Sequence, residues 1–283
     1  MQYALTANFV EGAVEMVLSD YHTHTKLSFD GECLPEEMVL RAIQLGVKHY
    51  AITDHIEINQ FYDKEYNFPE TLSAALEQLP ALKEKYSEEI TLASGIELGQ
   101  PVHNKELAEK VVSSPQLDFI IGSCHMIRGY DDFYFLDYKE KDPVKLLDTY
   151  FEELLEMAEW GKFDVLGHLT YPLRYICGDS GIFVDMERYE HIIDEIFRTL
   201  IKKGCGIEIN TSGLRQKIGV TLPELRYVKR YYDLGGRIIT VGSDAHRTED
   251  LGKGTETGIE IARSAGFTEI ACYKNRNPIF IKI

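Results

Sequence analysis

Short apolar runs recur along this chain, and seven of them stop at a residue able to bind a metal. They close in VLSDYHTH (His22, His24), YAITDH (His55), TLASGIE (Glu97), FIIGSCH (His125), DVLGH (His168), GIEIN (Glu208, Asn210) and IITVGSDAH (Asp244, His246). Their β-branched content and length predict strands. Stretches of helical period separate them at 35–46, 68–86, 104–114, 142–161, 186–204 and 221–236, with Pro35, Pro143 and Pro223 near helix starts and glycines at several ends. A last apolar run, IFIKI at 279–283, reads as an edge strand. Strict alternation of strand and helix implies parallel strands with right-handed crossovers. An open doubly wound sheet places its site between two strands at one switch point. Here nearly every strand supplies a ligand, so the strand ends must circle the site, which predicts a closed or nearly closed barrel.

The 283 residues show no internal repeat, low-complexity tract or linker rich in Pro, Gly and Ser, which predicts one domain. Met16 ahead of VLSDYHTH looks like a natural start, so residues 1–15 are expected to be an N-terminal extension and 16–283 the catalytic domain. That first segment lacks the basic region of a signal peptide, and no run of about 18 apolar residues could span a bilayer. Five cysteines with no C-x-x-C pair form neither a disulfide framework nor a thiolate zinc site, which fits reduced cytoplasm. A formal charge of -16 argues against nucleic acid as partner, since affinity there comes from Lys and Arg neutralising phosphates. Oligomeric state leaves no mark in the sequence.

The candidate ligands suit a multi-metal centre. Side chains of a His-x-His pair point to opposite faces of a strand and meet on one metal only where the strand ends, as at His22 and His24. Imidazole suits Zn, Mn and Fe, and carboxylates such as Glu97 can bridge ions. Multi-metal sites commonly activate water against phosphate or acyl groups. His49 and His191 read as structural or solvated, and His103 as an outside candidate for a supporting role. Asp20 and Asp54 either orient imidazoles or cap the turns after their strands. Alternation turns Cys124 into the core. The loops EINQFYDKEYNF (57–68) and MIRGYDDFYFLDY (126–138) would overhang the cleft, where their aromatics either recognise substrate or anchor the loops.

The motifs DYHTH, ITDH, GIE, SCH, GH and GSDAH occur in an order that resembles the PHP (polymerase and histidinol phosphatase) superfamily, and they span residues 20–246. Length and flanking segments resemble its stand-alone histidinol-phosphatase branch. The resemblance implies a distorted (β/α)7 TIM-like barrel and three divalent metal ions. One ion would take His22, His24, Glu97 and Asp244; a second would share Glu97 and take His125 and His168. The third would take Asp30, His55 and His246, with Asp30 standing where the family often has histidine.

Two arginines, Arg174 in LTYPLRY and Arg215 in NTSGLRQ, follow the fifth and sixth of these strands on the same face. A guanidinium fork matches phosphate oxygens, and the family resemblance points the same way. The expected reaction is hydrolysis of a phosphate monoester, and the resemblance names L-histidinol phosphate, a step of histidine biosynthesis. Asp30, His246 or metal-bound water could protonate the leaving group. The alternatives are a PHP phosphoesterase acting on nucleotides or nucleic-acid ends, and a non-catalytic metal-binding module. An amidohydrolase-like enzyme is disfavoured because no strand ends in the bridging lysine expected there. C-x5-R, Arg-His-Gly, D-x-D and Walker A phosphate chemistries lack their motifs.

Overall fold

Parallel strands wrap into a nearly closed barrel in the computed structural model, which describes residues 19–58 and 68–283. The expected extension at 1–15 and most of the 57–68 loop lie outside those residues. Seven strands follow in the order β1 (Ser19–Asp20), β2 (His49–Ile52), β4 (Thr91–Gly99), β5 (Phe119–Ser123), β6 (Val165–Leu166), β7 (Gly206–Asn210) and β8 (Ile239–Gly242). An eighth, β3 (His55–Glu57), pairs with β4 alone. The first half of β4 pairs with β2 and its second half with β3, so β2 and β3 act as one strand broken at Thr53–Asp54. The ring closes where the chain after β8 meets the chain after β1. There His24 N donates to Ala245 O (2.8 Å), Asp244 N to His22 O (2.8 Å) and Tyr21 N to Val241 O (2.9 Å).

Seven helices cover the described barrel: α1 (Pro35–Gln44), α2 (Phe68–Lys85), α3 (Lys105–Val112), α4 (Pro143–Trp160), α5 (Glu190–Lys203), α6 (Leu225–Asp233) and α7 (Thr255–Ala265). Their limits follow local chemistry. Asp142 accepts from Val144 N at the start of α4, Pro143 opens it, and Gly161 (φ 58°) ends it in the left-handed region. Along α5, Ile193, Ile196, Phe197 and Leu200 recur at helical spacing and are buried. Burying each such side chain contributes about 1.5–3 kcal/mol, which holds this helix against the barrel. Among the described residues no helix is long and apolar enough to cross a membrane.

The apolar run at 279–283 reads in sequence as an edge strand of the barrel, and the structure corrects this. It belongs to β10 (Asn277–Lys282), which pairs only with β9 (Glu269–Lys274) in an antiparallel hairpin. Asn275 and Arg276 turn the hairpin at φ 50° and 63°, as a two-residue turn of the favoured hand requires. The hairpin floors the barrel. Ala271, Cys272 and Tyr273 pack with Tyr21, Phe119, Ile121 and Val165, and Tyr273 N donates to Tyr21 Oη (3.0 Å). Asn275 N meets Asp118 Oδ1 (2.9 Å) and Arg276 Nε meets Asp164 Oδ2 (2.6 Å), just before β5 and β6. With one end filled, the strand C-termini at the other end are left to form the site.

Candidate metal centre

All nine expected ligands stand at this open end, and Glu97 lies at their centre. Its Oε2 is 3.2 Å from His22 Nε2 and 3.5 Å from His24 Nε2, and both histidines also face Asp244 Oδ1, at 3.7 and 3.3 Å. Its Oε1 is 3.0 Å from His125 Nε2 and 2.8 Å from His168 Nε2. One carboxylate therefore serves two ligand groups, as a bridge between ions requires. The third group sits nearer solvent: Asp30 Oδ2 is 3.5 Å from His55 Nε2 and 3.0 Å from His246 Nε2. His24 links the groups, its ring 4.2 Å from those of both His55 and His246.

Local backbone form explains this convergence. β1 stops at Asp20, so the side chains of His22 and His24 are freed from strict alternation and reach the same carboxylates. The break at Thr53–Asp54 restarts pairing with His55 directly beside Glu97. Asp244 takes a left-handed backbone (φ 55°), uncommon for a residue other than glycine, with its carboxylate turned to His22 and His24.

Around these ligands lies a layer of carboxylates with specific tasks. Glu208 Oε1 is 2.6 Å from His22 Nδ1, while its Oε2 accepts from His168 N at 2.9 Å. Glu57 Oε1 is 2.9 Å from His125 Nδ1 and 3.2 Å from His55 Nδ1, and Gln100 holds its other oxygen at 2.5 Å. Such partners fix ring orientation and tautomer. Gly99 makes room for this, because a Cβ there would lie 2.0 Å from Glu57 Oε2. Asp20 and Asp54 serve chiefly as turn caps. Asp20 accepts from Ser243 N and Oγ and from Gly252 N. Asp54 accepts from Thr25 N and Oγ1 and from Ser28 Oγ, the hydroxyl that also receives His55 N. His103 is turned away to Glu153 on α4 (2.7 Å), and Cys124 is buried in the core.

Does this donor set fit divalent ions? The Nε2 atoms of His22 and His24 are buried and make no well-directed hydrogen bond, although carboxylate oxygens lie within 3.7 Å. Buried imidazole nitrogens that converge with carboxylate oxygens in this way suit a cation. Burial and then His55 and His246 push His24 down to about 3, so it stays neutral and able to ligate. Burial would raise Glu97 and Asp244, but the imidazoles around them, His22 foremost, hold both carboxyls well below their usual range. Burial opposes charge on His125 too, yet Glu97 and Glu57 raise it to about 10. The cluster thus demands positive charge, and protons on imidazole supply it wherever an ion does not. His and Glu chemistry of this kind supports divalent-metal binding.

Arg174 and Arg215 occupy different places. Arg174, in a short π-helical turn (Arg174–Asp179), lies partly buried against the expected ligands, with Nη2 2.7 Å from Ser212 Oγ and 3.2 Å from Asp244 Oδ2. It lines a cleft of about 370 Å³ together with Glu97, His125, His168, Asp244 and His246. Arg215 does not line that cleft. Its Nη2 donates to Ser243 O (2.8 Å), bracing the turn that carries Asp244. The loop at 126–138 does both things its aromatics suggested. Phe133 is buried and anchors it, while Tyr134 and Phe135, 66% and 67% exposed, line the cleft.

The PHP domain model matches residues 20–212. This chain belongs to the PHP domain family. A "Probable histidinol-phosphatase" of Thermotoga maritima is 30% identical over 253 residues, covering 89% of this chain and 94% of that protein. The "Histidinol-phosphatase" of Lactococcus lactis is 28% identical over 264 residues, with 90% and 93% covered. A crystal structure of histidinol phosphate phosphatase from Lactococcus lactis, in complex with Zn, L-histidinol and phosphate, superposes with a TM-score of 0.77. It is 24% identical and covers 92% of this chain and 98% of its own, and it shows a shared fold. The distorted (β/α)7 barrel expected for a PHP domain is the one observed here.

Proposed function

We propose that this PHP domain hydrolyses a phosphate monoester, L-histidinol phosphate, using three divalent ions (Zn, Mn or Fe) held by the nine clustered ligands. The observation that carries this reading is Glu97, whose two oxygens face two separate ligand groups, with Arg174 beside them over the same cleft. The relatives named histidinol-phosphatase supply the substrate, and they match along nearly their whole length.

His22, His24, Glu97 and Asp244 would hold one ion, Glu97, His125 and His168 a second, and Asp30, His55 and His246 a third. Such ions supply a Lewis acid for phosphoryl oxygens and lower the pKa of water to about 7. The chain's own groups do the rest. Arg174 is placed to take phosphate oxygens on its planar fork, and Asp244 and Ser212 hold that fork at the cleft. Arg215 joins it by swinging from the Ser243 carbonyl, or acts by fixing Asp244 from behind. Asp30 and His246 are the ligands most open to solvent, at 36% and 29% side-chain exposure, and we place delivery of the leaving group's proton there. Glu57 and Glu208 keep the imidazoles aimed.

Phosphate release from a panel of monoesters by Zn- or Mn-loaded protein tests this reading. The panel holds L-histidinol phosphate, sugar phosphates, nucleoside monophosphates and a short DNA end. Strong preference for L-histidinol phosphate is expected. Release only from nucleotides or DNA would refute the substrate, and no release from metal-loaded protein would refute the hydrolase.

A further inference from the structure

Asp132 has no task among the ligands, yet it lines the same cleft. It is 7% exposed, on the loop whose Tyr134 and Phe135 form the cleft's aromatic wall. Its Oδ1 accepts from Tyr134 N (2.7 Å) and from Tyr171 Oη (3.1 Å). Tyr171 in turn lies against the centre, its ring 5.0 Å from each of the His125 and His168 rings. Asp132 is therefore one hydrogen bond and one phenol ring away from the ligands.

The same two tyrosines tie this carboxylate to the opposite charge. The Arg174 guanidinium carbon stands 5.1 Å from the Tyr171 ring centre and 6.0 Å from that of Tyr175, and Tyr175 Oη donates to Tyr171 Oη at 3.1 Å. A cation thus faces the tyrosine rings while an acid sits at their hydroxyl edge. The cleft is polarised along one short line, from Arg174 and the metal ligands at one end to Asp132 at the other. A ligand with a dianion at one end and a cation a few bonds away matches that polarity.

Resting on the phosphatase reading, we propose that Asp132 selects the organic half of the substrate by binding its protonated nitrogen. The preferred class is then zwitterionic monoesters that carry an amine or imidazolium a few bonds from the phosphate. Capping the turn at Phe133–Phe135 explains the bond to Tyr134 N. It does not explain a buried carboxylate that also takes the Tyr171 hydroxyl beside the ligands. Burial first of all raises the Asp132 carboxyl and the nearby His125 next lowers it, so positive charge beside this carboxyl favours the ionised form that a bound cation would meet.

Asp132→Asn separates charge from cap, because Asn caps turns as well as Asp. Metal-loaded wild type and variant are compared on L-histidinol phosphate, phosphoethanolamine, an imidazolylethyl phosphate lacking the amine, and p-nitrophenyl phosphate. Metal content and melting temperature are measured alongside. The ratio of kcat/KM for cationic over p-nitrophenyl ester should fall about ten- to a hundredfold in the variant, chiefly through KM, as loss of one charge-assisted bond predicts. Loss confined to phosphoethanolamine and the full substrate assigns the ammonium; loss confined to the imidazole esters assigns the ring. An unchanged ratio, or equal loss on all four esters, overturns the proposal while the phosphatase reading stands. Wild type that releases phosphate from none of them overturns both.

Discussion

Glu208 serves two partners with one carboxylate, and replacing it with glutamine exposes how much the centre depends on that. In the native protein Oε1 is 2.6 Å from His22 Nδ1 and Oε2 is 2.9 Å from His168 N, both contacts being buried. A carboxylate can accept both; an amide has one acceptor oxygen and an NH2. Whichever way the new amide turns, one donor would face another. Either the His22 ring loses its orienting partner or the His168 backbone is left unsatisfied. A hydrogen bond to a charged group contributes about 1.5–3 kcal/mol, and each 1.4 kcal/mol is tenfold in binding. Metal affinity should therefore weaken about ten- to a hundredfold, in line with losses seen when such outer partners are removed. The assay is competition for Zn against a chromophoric chelator, with circular dichroism to show that the fold persists. Glu208→Gln with affinity within twofold of wild type would refute the claim that Glu208 positions His22 and His168.

Three further expectations follow from the geometry. Glu97→Ala or His125→Ala should abolish phosphate release while the chain still folds, since Glu97 is shared by two ligand groups and His125 is one of the two imidazoles that complete the second; near-native turnover with full metal content would contradict the assignment. Arg174→Ala should raise KM, and the inhibition constant for inorganic phosphate, by about ten- to a hundredfold, and Arg174→Lys should restore only part, lacking the fork. Unchanged constants would remove Arg174 from phosphate binding. Arg276→Ala should leave metal affinity intact but cost about 1–3 kcal/mol of stability, because Asp164 stays buried without its guanidinium. For a chain this size that lowers Tm by roughly 2–4 °C per kcal/mol, and an unchanged melting curve would show that the Arg276–Asp164 pair contributes nothing to holding the floor in place.

Eight of the nine expected ligands were legible because each closes an apolar run, and parallel strands must present their ends to one face; Asp30, in the turn after His24, came from the family resemblance alone. Glu57 escaped, and Glu208, which closes an apolar run in the sequence, reads there as a possible ligand and not as the group that orients His22. Glu57 follows the break after Ile52, and the resumed strand β3 is too short to show alternation. Glu208 did carry a signal: it alternates with Ile207 and Ile209, which join the core beneath the helices, so Glu208 points to the barrel interior. Helix α7 is absent from the predicted helices, its start lying within the glycine-rich GKGTETG (252–258). Gly258 within it is needed for close packing, as a Cβ there would lie 2.6 Å from the Val241 side chain. Strand β9 and the floor it forms depend on contacts with Asp118 and Asp164, far away in sequence, and no local pattern announces them. The difference between Arg174 and Arg215 also arises only from tertiary placement, since both follow strands in equivalent positions.

The closure between β1 and β8 gives the ligand set a second meaning. His22 and His24 stand on one side of that seam and Asp244 and His246 on the other, 222 positions apart between residues 22 and 244. An ion gripped from both sides would be a removable cross-link. In the chain-entropy picture, fastening a loop of that length restricts the unfolded ensemble by about 5 kcal/mol. Contacts so distant along the chain are also the slowest to find. Metal loading would then act as the final latch of folding, and chelation would first loosen the β1–β8 seam, where amide exchange should quicken before the rest of the barrel yields.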